Sequence, residues 1–272
     1  MHPVERLCLT MRHHSALARA EWLWRRLRPW YDRAVHLVGR RGIERSINGT
    51  DPLLLMPQYR HVSETYEPEV WPHLMTRLRP DDTVADVGAF IGLYTVAAAK
   101  RLTKGGKVIA CEPDPNNAAV LRSHVALNRV ADRVEIIEAV VSDRVGEVPF
   151  QSGQESQSRV KTKPTDGANM VASVTLDHVS ADRALDVVKI DVEGHEEAVL
   201  RGACRVLQRH DHAPRVIYIE VHPYAWATPG ASSTSLLSLL RGCGYEVTTL
   251  DGQPVTQINT HGEIVACKKI TL

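Results

Sequence analysis

The sequence between positions 86 and 92 reads Asp86-Val87-Gly88-Ala89-Phe90-Ile91-Gly92 and joins a short β-branched run to a helical stretch. A strand is predicted over residues 83–87 and a helix over 91–102, with Gly88 permitting the turn between them. A strand that runs through an acidic residue and a glycine turn into a helix is typical of open α/β sheets, in which ligands bind at the carboxyl ends of the strands. We therefore expect a nucleotide-like pocket at this turn.

Beyond residue 80, short β-branched runs alternate with helical stretches, which predicts right-handed βαβ units and a mostly parallel sheet with helices on both faces. The last two runs are separated only by residues 251–262, too few for a crossover helix, so they are expected to pair antiparallel. The expected fold is an α/β, Rossmann-like sheet of seven strands that ends in an antiparallel hairpin. Strands are predicted at 83–87, 107–111, 134–141, 186–190, 215–221, 245–250 and 264–268, and helices at 91–102, 115–128, 196–210 and 232–242.

Two segments depart from this alternation. Residues 1–79 are rich in Arg, Trp and His without strand-like alternation, and residues 16–28 carry an apolar stripe opposite a basic face. We expect an N-terminal helical lid or extension here, as a packing helix or as a surface for a membrane or an acidic partner. Residues 146–175 include a polar run and are expected to form a substrate-facing loop. The predicted organisation is an extension over 1–79 and a Rossmann-like domain over 80–272.

Composition limits the classes of function. The 272 residues carry a formal net charge of +1, which gives no electrostatic indication of nucleic acid, and 43% are apolar, enough for one large core. The five cysteines are scattered, unlike a disulfide framework or a zinc site. No apolar run approaches the roughly 18 residues of a membrane helix, and the first residues lack a signal-peptide stretch. We expect a cytoplasmic protein without a transmembrane segment; the sequence does not indicate its oligomeric state.

The glycine loop differs from a dinucleotide fingerprint, because position 90 is Phe where G-x-G-x-x-G needs its middle glycine. That fingerprint lets the backbone approach a pyrophosphate, so this loop is poorly suited to cradle two phosphates. S-adenosylmethionine has no phosphate, and its ammonium group suits an acid such as Asp86. Gly88, Ala89 and Gly92 are then expected to contribute to the wall of the pocket.

A second acid, Glu112, ends the next predicted strand, at the distance where such folds place a ribose-binding carboxylate. The two oxygens of one carboxylate suit the two ribose hydroxyls, and a charge at the end of an apolar strand is costly unless it is used or solvated. Pro113 and Asp114 follow directly. Asp114 is expected to be either the N-cap of the helix that starts at Pro115 or a contact for adenine.

The run from Tyr66 to His222 resembles the FkbM family of methyltransferases. The resemblance implies a class I methyltransferase fold, S-adenosylmethionine as donor, and O-methylation of hydroxyls on sugars, polyketides and similar compounds of natural product biosynthesis. The family usually has Asn at position 90, so Phe90 can keep the backbone shape of the loop but not the Asn side chain. The matching residues are Asp86-Val87-Gly88-Ala89, Ile91-Gly92, Cys111-Glu112-Pro113, Asn128, Thr175-Leu176-Asp177 and, most specifically, Val188-Lys189-Ile190-Asp191-Val192-Glu193-Gly194-His195-Glu196.

The fourth and fifth predicted strands of the sheet end in acids that are followed by histidines. The first set is Asp191, Glu193 and His195, and the second is Glu220 and His222. In-line transfer of a methyl group requires alignment of the acceptor, and a hydroxyl reacts well only when its proton is removed or a metal lowers its pKa. Because the carboxyl ends of these strands border one pocket, we expect both sets near the reacting atoms.

Two mechanisms fit these residues. In one, His195 or His222 is the general base and Asp191 lies in the same pocket. In the other, Asp191 and Glu220, with Glu193 as a further candidate, hold Mg²⁺ through oxygen ligands and the metal polarises the hydroxylated acceptor.

Simpler alternatives remain open for the same block. Glu193 and Glu196 favour the N-terminus of the following helix, and Lys189 pairs with an acid.

Two other functions compete with O-methylation. One is an RNA methyltransferase, disfavoured by the near-neutral charge and by the absence of an Asn-Pro-Pro-Tyr-like turn. The other is a non-catalytic module that only binds S-adenosylmethionine.

Overall fold

The computed structural model describes residues 41–153, 159–160, 169–181, 183–209, 211–226 and 231–269, together with Arg26 and Pro29. Its strands are β1 (Ile43–Ile47), β2 (Asp51–Leu55), β3 (Thr83–Val87), β4 (Lys107–Cys111), β5 (Val134–Ile137), β6 (Val140–Val141), β7 (Gly146–Gln151), β8 (Arg159–Val160), β9 (Asn169–Val174), β10 (Val187–Asp191), β11 (Val216–Val221), β12 (Tyr245–Thr248) and β13 (Gly262–Lys268). Its α-helices are α1 (Val70–Met75), α2 (Leu93–Arg101), α3 (Pro115–Leu127), α4 (Leu176–Ser180), α5 (Glu196–Arg201), α6 (Cys204–Gln208) and α7 (Ser233–Gly242).

The main sheet has seven strands in the order β5-β4-β3-β10-β11-β13-β12. The first five run parallel, and β13 lies antiparallel between β11 and β12. This arrangement confirms the predicted fold class, including its antiparallel end. The strand order reverses beside β3 and β10, which is where open α/β sheets bind their ligands.

Apolar residues cover both faces of this sheet. Successive residues of one strand enter different clusters, as Val84 and Ala85 do in β3 and Val187 and Val188 do in β10. Such two-sided burial explains why the parallel strands read as continuous β-branched runs in the sequence. Among the described residues, no helix has the length and apolarity needed to cross a membrane.

The N-terminal segment differs from the expected helical extension. Residues 43–55 form an antiparallel hairpin of β1 and β2, in which Asn48 and Gly49 take positive φ values of 49° and 72°. An Asn-Gly pair is a strong hairpin signal, because both residues tolerate the left-handed region. The prediction of helix throughout this segment is therefore wrong for residues 43–55, and the predicted helix at 16–28 lies outside the described residues apart from Arg26.

Asn128 and His124 attach this hairpin to the main domain from the end of α3. The Asn128 amide accepts the main-chain N–H of Leu54 at 2.9 Å and donates to the carbonyl of Leu54 at 2.8 Å. The imidazole of His124 binds the main-chain N–H of Met56 at 3.0 Å. The hairpin contributes Ile47, Leu53 and Leu55 to the cluster that also contains strand residues of the main sheet, so the core extends across position 80.

The segment expected to be a loop, residues 146–175, contributes instead most of a second sheet in the order β6-β9-β7-β8. Val148 and Phe150 point inward with period two and pack on Val140. The predicted strand 134–141 is divided, because its last two residues leave the main sheet and pair with β9.

The predicted helix over 196–210 is also divided, into α5 and α6. Gly202 lies so close to the main chain of Ser142 that an added Cβ would be 1.9 Å from that carbonyl oxygen. The carboxylate of Asp177 accepts the main-chain N–H groups of Arg205 and Val206 and so caps the start of α6.

Gly88→Ala is expected to destabilise the fold well beyond the cost of its left-handed backbone. Gly88 has a φ of 85°, and a Cβ there would lie 1.8 Å from the main-chain oxygen of Asp191. The backbone conformation alone costs about 1–2 kcal/mol for an alanine, and overpacking adds about 1–3 kcal/mol. The free energy of unfolding is measured by urea titration followed by circular dichroism.

Gly105→Ala is the matched control, because Gly105 has the same φ of 85° and no atom within 4 Å of the added Cβ. This variant should lose only about 1–2 kcal/mol. Equal losses for the two variants would show that the contact between the Gly88 turn and β10 is not a tight constraint.

Candidate active site

A cavity opens at the carboxyl ends of β3, β4 and β10, the edge at which open α/β sheets bind their ligands. Its walls come from the Gly88 turn, the end of β4, the segment after β10 and the second sheet, to which Phe150 and Val160 belong. The 146–175 segment thus borders the cavity, although it is not a loop, and its substrate-facing role stays a prediction. The sequence-predicted residues that border the cavity are Gly88, Glu112, Pro113, Asp191, Glu193 and His195.

The turn after β3 is held by main-chain bonds. The N–H groups of Gly88 and Ala89 both donate to the carbonyl of Cys111 at 3.0 Å. Phe90 has a φ of 50°, its N–H donates to Glu112 Oε2 at 2.8 Å, and its side chain borders the cavity. The hydrogen bond to Glu112 comes from the main chain of position 90, so Phe90 supplies it without the side chain of an Asn, although its left-handed φ favours Asn.

Glu112 is buried at the end of β4, and every polar contact of its carboxylate comes from the turns around it. Besides the Phe90 bond, Oε1 accepts the Asp114 N–H at 2.9 Å and the Asn117 amide at 3.3 Å. Burial raises the pKa of Glu112 to about 7, although these donors favour the ionised form. A carboxylate held in this way is aligned for hydroxyl donors in the cavity.

Four predicted cofactor residues lie behind the wall rather than on it. Asp86 is buried and accepts the Thr95 hydroxyl at 2.5 Å. Asp114 accepts the N–H groups of Asn116 and Asn117, which confirms the N-cap alternative. Ala89 and Gly92 are buried in the turn, and a Cβ on Gly92 would lie 2.1 Å from Leu121. Direct contacts of these four with a cofactor remain predictions.

Lys189 is buried in β10 with its ammonium group 3.1 Å from Asp191 Oδ2, which confirms the pairing expected from the sequence. Its register partner in β3 is Asp86, and the ammonium lies 4.7 Å from the ring centre of Tyr94. Burial lowers the pKa of Lys189, but nearby carboxylates outweigh burial and hold that pKa well above its usual value. The lysine is therefore a permanent cation beneath Asp191.

Further acids surround this cation, and sequence reasoning did not single out two of them. Glu67 accepts the Tyr94 hydroxyl at 2.6 Å, and Glu263 pairs with Glu220 in the register of β11 and β13. Burial raises the pKa of Glu263 to about 8, and its Oε1 has no partner among the described residues. The carboxyl edge of the sheet thus carries more carboxylates than cations.

His195 borders the cavity, and its Nε2 lies 2.9 Å from the Ser142 hydroxyl. When the hydroxyl of Ser142 donates to Asp143 Oδ1, at 3.3 Å, Nε2 of His195 is the donor in the first bond. The proton-accepting nitrogen is then Nδ1, for which no hydrogen-bond partner exists among the described residues. Burial lowers the pKa of His195, which keeps the imidazole neutral.

His222 lies outside the cavity wall and is bound to Glu196, a residue for which the sequence indicated only a helix-terminus role. The carboxylate of Glu196 is fully buried and accepts from His222 Nδ1 at 2.9 Å and from the Trp226 indole at 2.8 Å. Burial lowers the pKa of His222, but Glu196 and the nearby Glu193 outweigh it and leave that pKa above its usual value.

Among the described residues, no group of three potential metal ligands contains both Asp191 and Glu220, so magnesium binding by this pair stays a prediction. The described residues contain one group of three potential metal ligands, and it joins Glu220 to His222 and His261. Asp191 lies outside this group, and its carboxylate forms an ion pair with the ammonium of Lys189. The two acids are direct neighbours in the register of β10 and β11.

Comparisons with known proteins give the family. Residues 86–247, more than half of the chain, match the family model described as "Methyltransferase FkbM domain". The chain is 30% identical over 207 residues to the 31-O-demethyl-FK506 methyltransferase FkbM of Streptomyces tacrolimicus, a match that covers 62% of this chain and 75% of that protein. It is 25% identical over 152 residues to the hexuronic acid methyltransferase AglP of Haloferax volcanii, and here the match covers 55% of this chain and 59% of that protein.

A solved structure of methyltransferase FkbM from Methylobacillus flagellatus KT is similar at 22% identity and a TM-score of 0.47, over 71% of this chain and 45% of that one. The family match spans the glycine turn, Glu112, the Lys189–Glu196 block and Glu220, which are the residues that build the cavity and its charged edge. This chain belongs to the FkbM family of methyltransferases.

Proposed function

We propose that this chain is an S-adenosylmethionine-dependent O-methyltransferase that acts on a hydroxyl of a small acceptor, such as a sugar or a polyketide-like natural product. The observation that carries the proposal is the Glu112 carboxylate at the wall of a cavity that it shares with Asp191 and His195. The names of two relatives, a hexuronic acid methyltransferase and a 31-O-demethyl-FK506 methyltransferase, support a small acceptor.

The hydrogen-bond acceptors in the cavity fit an adenosyl ligand. Glu112 Oε2 accepts one N–H and keeps a lone pair for a ribose hydroxyl. On Oε1, the second hydroxyl would replace the amide of Asn117, whose bond is the longest of the set at 3.3 Å. The absence of a middle glycine at Phe90 matches a ligand without a pyrophosphate.

The charge of the cavity edge fits a cation. S-adenosylmethionine supplies an electrophilic methyl group when bound, and it carries a sulfonium and an ammonium. Asp191 borders the cavity with 29% of its side chain exposed, and the single cation beneath it is shared with Asp86, Glu67 and Glu263. We assign Asp191 to the ammonium group, while Asp86 acts through the buried charge network.

We propose that His195 is the general base that removes the proton from the acceptor hydroxyl. Its Nε2–H is fixed on Ser142, its Nδ1 is the basic nitrogen, and its lowered pKa keeps that nitrogen unprotonated at neutral pH. His222 is less suited to this role, because Glu196 favours its protonated form.

Glu112→Gln should weaken the binding of S-adenosylmethionine about 10- to 100-fold, because hydrogen bonds to a charged acceptor contribute about 1.5–3 kcal/mol. Isothermal titration calorimetry with the full chain measures the dissociation constant. Glu246→Gln on the exposed side of β12 is the control and should bind as the wild type does. Unchanged binding by the Glu112 variant would remove this carboxylate from the cofactor site.

The affinity of the wild type for S-adenosylmethionine should fall as the pH is lowered through about 7. The pKa of Glu112 is raised to about 7, so the carboxylate that accepts ribose hydroxyls is ionised above that pH and protonated below it. Titration calorimetry at a series of pH values tests this, and the Glu112→Gln variant should lose the dependence. The same pH profile in both would assign the titration to another group.

His195→Ala should lower kcat about 100- to 10,000-fold, the usual contribution of a positioned general base, with little change in cofactor affinity. Because burial lowers the pKa of His195, the acid limb of the wild-type kcat profile at saturating S-adenosylmethionine should lie below pH 6.5, the ordinary value of a histidine. A methyl-release assay over a panel of hydroxylated sugars and polyketides measures both quantities.

His178→Ala, on the exposed side of α4, is the control for loss of an imidazole. Wild-type turnover by the His195 variant would exclude this residue as the base. Cofactor binding without turnover on any acceptor would instead favour a non-catalytic binding module.

A further inference from the structure

A cluster of two histidines and one carboxylate lies at the end of the main sheet, outside the cavity wall. Glu220 is in β11, His222 follows that strand, and His261 directly precedes β13. The antiparallel register pairs Val221 of β11 with Gly262 of β13, so the residue after Val221 and the residue before Gly262, His222 and His261, lie opposite each other. The rigid pairing of two central strands therefore fixes the spacing of these side chains.

The potential ligand atoms converge on one oxygen. Glu220 Oε1 lies 2.7 Å from His261 Nε2 and 3.7 Å from His222 Nε2. The ligand atoms of the three residues all lie within 4.8 Å of one another, and the two imidazole rings have centres 4.8 Å apart. Zinc binds nitrogen and oxygen ligands at about 2.0–2.2 Å, so a small shift of the half-exposed His261 suffices to close around an ion.

A buried carboxylate orients one of these imidazoles. Glu196 accepts the Nδ1 proton of His222 at 2.9 Å and is itself fixed by the N–H of Gly194 and the indole of Trp226. This bond selects the tautomer in which His222 Nε2 carries a lone pair directed at Glu220. A carboxylate that holds the outer nitrogen of a histidine is the usual support for a metal-bound imidazole.

We propose that Glu220, His222 and His261 bind one divalent transition-metal ion, with Zn²⁺ the best match, and that Glu196 positions His222 for it. Two imidazoles and one carboxylate are the donor set of three-ligand zinc sites, which keep one position open for water or another ligand. The same donors are a poor match for Mg²⁺, which prefers oxygen ligands. The proposal does not depend on the reaction assigned to the cavity.

Metal binding is tested on the full chain without an affinity tag, after dialysis against a chelator. Zn²⁺ is titrated in competition with a chromophoric chelator, and Co²⁺ serves as a spectroscopic probe whose visible absorption reports coordination by nitrogen and oxygen rather than by a thiolate. We expect one ion per chain. His261→Ala, at an exposed position, should weaken binding at least about 100-fold, and Glu196→Gln about 10- to 100-fold.

His178→Ala should bind the metal as the wild type does, because this histidine lies on the exposed side of α4. Failure of the wild type to bind an equivalent of Zn²⁺ would overturn the proposal, as would binding that His261→Ala leaves unchanged or a thiolate signature in the Co²⁺ spectrum. Because no methyl transfer is measured, these outcomes are separate from success or failure of the proposed methyltransferase activity.

Discussion

The buried ammonium group of Lys189 is the interaction on which the charged end of this molecule depends. A cation inside a sheet is tolerated only when it is paired, because burial of an isolated charge costs far more than a folded protein can lose. Lys189 forms an ion pair with Asp191 on its own strand, and the carboxylates of Asp86 on the neighbouring strand, Glu67 and Glu263 also favour its charge. These acids depend on the lysine in turn, since without it several carboxylates would face one another across adjacent strands.

The single positive charge of Lys189 does not balance all the carboxylates around it, and the excess negative charge affects which ligand the cavity favours. Burial raises the pKa of Glu263 to about 8 and raises that of Glu220 as well, and the neighbouring carboxylates, which outnumber the one ammonium, add to both shifts. A bound cation would relieve this repulsion. The adjoining turn offers no glycine-rich phosphate cradle, and it directs the Phe90 N–H at a carboxylate instead of a phosphate. The excess of carboxylates and the lack of a phosphate cradle in the turn both disfavour a dinucleotide as the ligand of this cavity.

Sequence reasoning located the main sheet and the cavity because both are local in the chain. Each parallel strand is a continuous apolar run, and Glu112 and Asp191 end such runs where the topology brings strand ends together. The hairpin of residues 43–55 was missed although Asn48-Gly49 is a local signal, because the basic composition around it suggested helix.

Other features depend on pairings between distant positions. The short strands of the second sheet find their partners across long connections: β6 pairs with β9, about 30 residues later. Glu196 meets His222 26 residues later, and His261 reaches Glu220 only through the register of β13. A local pattern carries no information on such contacts, so the sequence indicated Glu196 only as a residue at a helix start and did not indicate His261 at all.

The two histidines of the site show how one side chain acquires two different chemistries. Each has one nitrogen fixed by the protein, but the partner of His195 is a neutral hydroxyl and that of His222 is a buried carboxylate. A hydroxyl fixes the tautomer without favouring the charged ring, so burial prevails and His195 stays neutral. A carboxylate fixes the tautomer and makes the opposite nitrogen a stronger base, which suits a neutral imidazole that binds a metal ion through that nitrogen. The assignment of proton transfer to His195 and of ligand binding to His222 follows from this difference between Ser142 and Glu196.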